Sequence, residues 1–109
     1  MNISLKKSLA IFDIEATGLS ITNDRIVEIA IIKIHPDGTQ TDFLKRVNPE
    51  IPIPKEVSEI HGIYDEDIKD EPNFKGILPE LELFLTDADF AGYNSNKFDL
   101  PMLAEEMLR

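Results

Sequence analysis

Two apolar, β-branched runs dominate the first third of the chain. Ser8-Leu9-Ala10-Ile11-Phe12 leads into Asp13-Ile14-Glu15, and Arg25 to Ile34 is nearly continuous in Ile, Val and Ala. Both predict strands. The second is apolar on both alternating faces, which predicts a central strand covered on both sides, as in α/β domains. His35-Pro36-Asp37-Gly38-Thr39 supplies turn chemistry before a third strand, Gln40 to Val47, which the short connection makes antiparallel. His35 itself reads as a solvated turn histidine. Pro49, Pro52 and Pro54 then exclude regular structure across 48–54.

From there the pattern turns helical. Lys55 to Ile60 predicts one or two turns ending at His61-Gly62, followed by a solvated acidic loop, Tyr64 to Glu71, before Pro72. Asn73 is the expected N-cap of a helix to about Leu85, with Ile77, Leu78, Leu81, Phe84 and Leu85 on one face. Gly76 and Pro79 predict that regular helix starts only near Leu78. Asp89 to Tyr93 predicts a short strand. A last helix from about Lys97 carries Leu100, Leu103, Ala104 and Met107 at i, i+3, i+4 and i+7, with Pro101 tolerated in its opening turns. The order is that of an α/β domain. The sequence stops at Arg109 inside that helix, without a cap or a glycine or proline exit, which is the pattern expected of a longer protein.

Composition narrows the function classes. With 109 residues there is room for one domain with a modest core. No run is long enough to span a membrane, and the amino terminus lacks the apolar core and cleavage site of a secretion signal, so a cytoplasmic address is the default. Without cysteine, disulfides, zinc-thiolate sites and thiol nucleophiles are excluded. A net charge of −10 excludes nucleic-acid binding through a broad basic face. A polynucleotide substrate would have to be held by metal ions, a few local cations or a partner.

The candidate chemistry sits at the end of the first strand. Strand side chains alternate, so Asp13 and Glu15 project to one face while Ile14 points to the core. Two like charges that close repel unless a cation lies between them, and hard oxygen donors suit Mg²⁺ or Mn²⁺. The other reading is a strand ending in solvated acids before the Thr17-Gly18 turn. A third carboxylate, Asp99, stands near the start of the last helix, where it is either a helix-capping acid or a partner for the first two. Sites in open α/β sheets commonly lie at the carboxyl ends of strands.

Phe12-Asp13-Ile14-Glu15-Ala16-Thr17-Gly18-Leu19 resembles the first motif of the DEDD, or DnaQ-like, 3′–5′ exonucleases of the ribonuclease H-like superfamily. Asn23 to Ile29 resembles the strand that follows it in proofreading exonuclease subunits and ribonuclease T relatives. Ile60-His61-Gly62-Ile63 and Gly92-Tyr93-Asn94 with Phe98-Asp99 resemble further elements, in order, from about Leu9 to Leu108. The resemblance implies a ribonuclease H-like mixed sheet flanked by helices and a two-metal exonuclease of 3′ ends, with Mg²⁺ or Mn²⁺ as cofactors. It implies that Asp13 bridges both ions, that Glu15 ligates one, and that Asp99 holds the second. It also implies that the backbone of Ala16, Thr17, Gly18 and Leu19 approaches the terminal nucleotide, with Thr17 contacting its sugar or phosphate. His61, Asn94 and Phe98 would line the nucleotide's pocket. The implied partners are a single-stranded or frayed 3′ end of DNA or RNA and a polymerase or other subunit. Outside the resemblance, His61 reads as a histidine bonded to local backbone before a glycine turn, Phe98 as core, and Glu28 as structural, paired with Arg25 or a backbone amide.

The family pattern also includes a third motif, with a His or Tyr base and a fourth acid, and Leu100 to Arg109 cannot supply it. Residues 1–109 are therefore expected to be the amino-terminal portion of an exonuclease domain, truncated at its carboxyl end. Alone, such a chain would have little or no nuclease activity. A different class remains open: an exonuclease-like module that has lost chemistry and serves as a binding or docking unit.

Overall fold

The computed structural model describes residues 7–86, 88–91 and 100–108, without the side chains of 90, 91 and 100. In chain order the elements are β1 (Ser8–Ala16), β2 (Ile26–Ile34), β3 (Gln40–Arg46), α1 (Lys55–His61), α2 (Asp65–Ile68), α3 (Phe74–Leu85), β4 (Ala88–Ala91) and α4 (Leu100–Leu108). The strands form one mixed sheet in the order β3-β2-β1-β4. β1, β2 and β3 pair antiparallel, and β4 returns parallel to β1, with Ser8 opposite Ala88 and Ile11 opposite Ala91. This is the α/β mixed sheet with helices that the sequence implies.

Strand alternation sorts the sheet into two unequal faces. One carries Ala10, Phe12, Ile14, Ala16, Ile29 and Ile31, all buried against Phe74, Ile77 and Leu81 of α3 and Met102 and Leu103 of α4. On the other, Leu9, Ile11 and Ile34 are half-buried, while Ile32 and Leu44 are exposed. The continuous apolar run of β2 predicted cover on both faces, but among the described residues only one face has it. A register shift between Glu15 and Ala16 lets Ile26 rejoin the main core, whereas Val27 joins a second cluster with Ile53, Ile63 and Ile68.

Several local expectations are corrected. α3 begins at Phe74, four residues before Leu78, with the Asn73 side chain accepting from the Gly76 N–H at 3.0 Å. Pro79 is accommodated on the exposed face of α3, where Lys75, the residue whose carbonyl it cannot bond, is exposed as well. The acidic stretch after Tyr64 is not all loop: Ile68 is buried and anchors α2, and Asp67 accepts from the Tyr64 N–H at 2.9 Å. His35 is half-buried rather than solvated, bonded to Ser8 Oγ through Nδ1 and to Thr41 Oγ1 through Nε2, each at 3.0 Å. It ties the β2–β3 turn to the first residue of β1.

The inward face of α4 also differs from its apolar periodicity. Met102, Leu103 and Glu106 are buried, and Ala104 and Met107 are exposed. A carboxylate can occupy that face because Arg25 Nε donates to Glu106 Oε1 at 2.8 Å. Arg25 is thereby committed to α4, and Glu28 pairs at 3.5 Å with Arg46, the residue opposite it on β3.

Candidate active site at the carboxyl end of β1

Asp13 and Glu15 emerge on the less covered face of β1, Asp13 exposed and Glu15 half-buried. Opposite them on β2 stand Ala30 and Glu28. Three carboxylates therefore share one corner of the sheet, and Glu28 has Arg46 beside it. Among the described residues, no cation lies within ion-pair distance of Asp13 or Glu15. Glu15 registers the strain: burial first, then repulsion from Asp13 and more weakly from Glu28, push its carboxyl above the usual range, while His61 draws it the other way.

That donor set fits a hard divalent cation. It offers only carboxylate oxygens, on one face, with an uncompensated charge that a cation would relieve. Among the described residues, no third His, Asp or Glu completes a metal-binding group with them. Asp99, Asn94 and Phe98 lie outside the described residues.

The turn after β1 is pinned from both sides. Thr17 N–H donates to the Arg25 carbonyl at 2.9 Å, and Arg25 N–H donates back to Thr17 Oγ1 at 3.0 Å. The Thr17 hydroxyl donates to Asp24 Oδ1 at 2.9 Å, and Asp24 Oδ2 accepts the Ser20 N–H at 2.8 Å. Gly18 is required by closeness rather than by a left-handed backbone: a Cβ there would stand 2.8 Å from the Asp24 carboxyl carbon. The loop displays Leu19, which is 86% exposed.

Thr17 was expected to touch a nucleotide's sugar or phosphate. Its residue is 1% exposed and its hydroxyl both donates and accepts within the turn, so the side chain frames the loop. His61 does reach the site. Its Nδ1 accepts the Ile63 N–H at 3.1 Å, which leaves the proton on Nε2, and Nε2 donates to the Ala16 carbonyl at 3.2 Å. Both ring nitrogens are bonded to backbone, the arrangement read outside the family resemblance. The ring thus staples the end of α1 to the end of β1.

Sequence reasoning missed the scaffolding residues Asp24, Arg25 and Glu106. The available signal for Asp24 and Arg25 was their position, a charged pair directly before a buried strand. It also passed over Ile60, which is 85% exposed beside His61.

A sequence profile of the RNase T exonuclease family matches residues 10–109. The chain belongs to this exonuclease family. Among its relatives, a PolC-type DNA polymerase III of Caldanaerobacter subterraneus is 37% identical over 92% of this chain and 7% of its own length. The DNA polymerase III subunit epsilon of Treponema pallidum is 32% identical over 88% of this chain and 44% of its own length. The exonuclease-family chain thus spans less than half of either relative. Its fold matches E. coli exonuclease I, solved with a dT13 oligonucleotide, at a TM-score of 0.82 and 16% identity, over 94% of this chain and 24% of that one. This is the DnaQ-like, ribonuclease H-like fold. Among the described residues no helix is long and apolar enough to cross a membrane.

Proposed function

We propose that this chain works as part of a 3′–5′ exonuclease that hydrolyses phosphodiester bonds at the 3′ end of single-stranded DNA. The observation that carries this reading is the same-face pair Asp13 and Glu15, uncompensated by any described cation, at the end of a strand whose following turn is rigidly framed. Asp13, Glu15 and Asp99 would hold two divalent ions, Mg²⁺ or Mn²⁺, which supply charge neutralisation at the phosphate and activation of the attacking water. The chain's own residues bind and orient. The Gly18-Leu19 turn presents an apolar side chain to a terminal base, and His61 fixes the Ala16 carbonyl so that the turn leaves the strand at one angle. Asn94 and Phe98 complete the pocket in this reading.

The choice of DNA follows the relatives, which are DNA polymerase III proteins, and the oligonucleotide held by exonuclease I. A polymerase is the partner that fits, and an acidic chain acting beside one in the cytoplasm needs no basic face of its own.

The test is calorimetric titration of Mn²⁺ and then thymidine 5′-monophosphate into the chain, followed by oligonucleotides with free and blocked 3′ ends. Metal-dependent nucleotide binding and preference for the free end are expected. Indifference to both Mn²⁺ and the nucleotide would replace the reading with that of a docking module, and cleavage of the blocked strand would replace the polarity.

A further inference from the structure

We infer that Glu106 is a positioning residue for the Thr17–Leu19 turn, acting through Arg25. Glu106 lies in α4, eighty-one residues from Arg25 in sequence, and its side chain is 1% exposed. A buried carboxylate requires a hydrogen-bonding partner, and Arg25 Nε supplies one at 2.8 Å, so the guanidinium is drawn in and fixed there. The Arg25 backbone in turn grips Thr17 twice, accepting from its N–H and donating to its hydroxyl. Met102 and Leu103, buried on the same side of α4, seat the helix in the main core, so the grip is referred to a rigid body. The brace joins two parts of the site that are far apart in sequence. One is the turn after Asp13 and Glu15, and the other is the helix that follows directly on the segment carrying Asp99.

The consequence for recognition rests on the exonuclease reading: a turn that presents Leu19 to a nucleotide must be held before the nucleotide arrives. Glu106 touches no substrate in this account. It sets where the Thr17–Leu19 backbone stands.

Hydrogen exchange on the whole chain separates positioning from simple stability. Glu106→Leu fills the buried position with an apolar side chain, and Arg25, which is 25% exposed, is free to turn to water. The Thr17 and Arg25 amides should then exchange about tenfold faster while the ladder amides of β1 and β2 stay within about twofold. Glu106→Gln keeps an acceptor for Arg25 and should give an intermediate value; it is the folded arm if Glu106→Leu does not fold. Thymidine 5′-monophosphate affinity in the presence of Mn²⁺ should fall by about tenfold in Glu106→Leu, with Mn²⁺ affinity alone unchanged. Uniform acceleration of all these amides, or unchanged exchange at Thr17 and Arg25, would overturn the inference. So would an unchanged nucleotide affinity beside altered exchange. Should the unmodified chain bind no nucleotide, the exonuclease reading fails, and the amide pattern alone still decides whether Glu106 holds the turn.

Discussion

Two sets of carboxylates in this acidic chain are treated in opposite ways. Glu106 is buried and is given an arginine at 2.8 Å. Asp13 and Glu15 sit at the surface end of a strand, near enough to repel, with a third acid opposite and no described cation beside either. Pairing, not depth, separates the two: the deeper charge has a partner and the shallower couple repel. A paired acid in the core fixes geometry, whereas an unpaired couple at the rim stores an electrostatic cost that a ligand cation can remove. The difference marks one pair as framework and the other as a candidate site without reference to any relative.

Breaking the framework pair should have the largest effect. Arg25→Ala removes the guanidinium that meets the buried Glu106 carboxylate and is expected to cost about 3 kcal/mol of unfolding free energy, measured by urea denaturation. A loss below about 1 kcal/mol would mean the pair is as weak as a surface ion pair. At the rim the expected change is in ligand affinity rather than stability. Asp13→Asn should weaken Mn²⁺ binding by at least about tenfold, equivalent to about 1.4 kcal/mol; calorimetry showing equal affinities would remove Asp13 from the metal site.

The smallest effect carries the sharpest sign. The folded protein holds the Glu15 proton more tightly than the unfolded chain does, because burial and Asp13 raise its carboxyl. This group therefore favours folding at acid pH, and its contribution is lost as pH rises through a folded value above 4.5. Glu15→Gln should stabilise the metal-free chain by about 0.5 kcal/mol at neutral pH, by removing a half-buried charge that Asp13 beside it and Glu28 opposite it repel. The gap should close as pH falls toward 4.5, read from denaturation at both ends of the range. A variant equally stable to the parent at neutral pH, or a gap that widens in acid, would show that the pair is not strained.

Much of the frame was legible because it depends on period. The apolar, β-branched runs Ser8–Phe12 and Arg25–Ile34 marked the strands, alternation put Asp13 and Glu15 on one side, and Pro-Asp-Gly marked the hairpin. What escaped the sequence was long-range pairing. Apolar periodicity in α4 selected Leu103, Ala104 and Met107, but the helix turns Glu106 inward because Arg25 is there to meet it. The bonds of the Thr17 hydroxyl were hidden in the same way, because Asp24 and Arg25 fold back onto it from seven and eight residues away. His35 looked solvated because Ser8, its partner, lies twenty-seven residues away.

The strand order has a kinetic consequence. β1, β2 and β3 form a meander joined by short connections, whereas β4 must return across all three helices that precede it to lie beside β1. Contacts closed over short loops form sooner than those closed over long ones. The acid pair is thus expected to exist on an early meander, with its parallel neighbour and the α4 brace arriving last. Pulse-labelled refolding should show β2–β3 amides protected ahead of those in β4 and α4, and simultaneous protection would mean that the sheet assembles in one step.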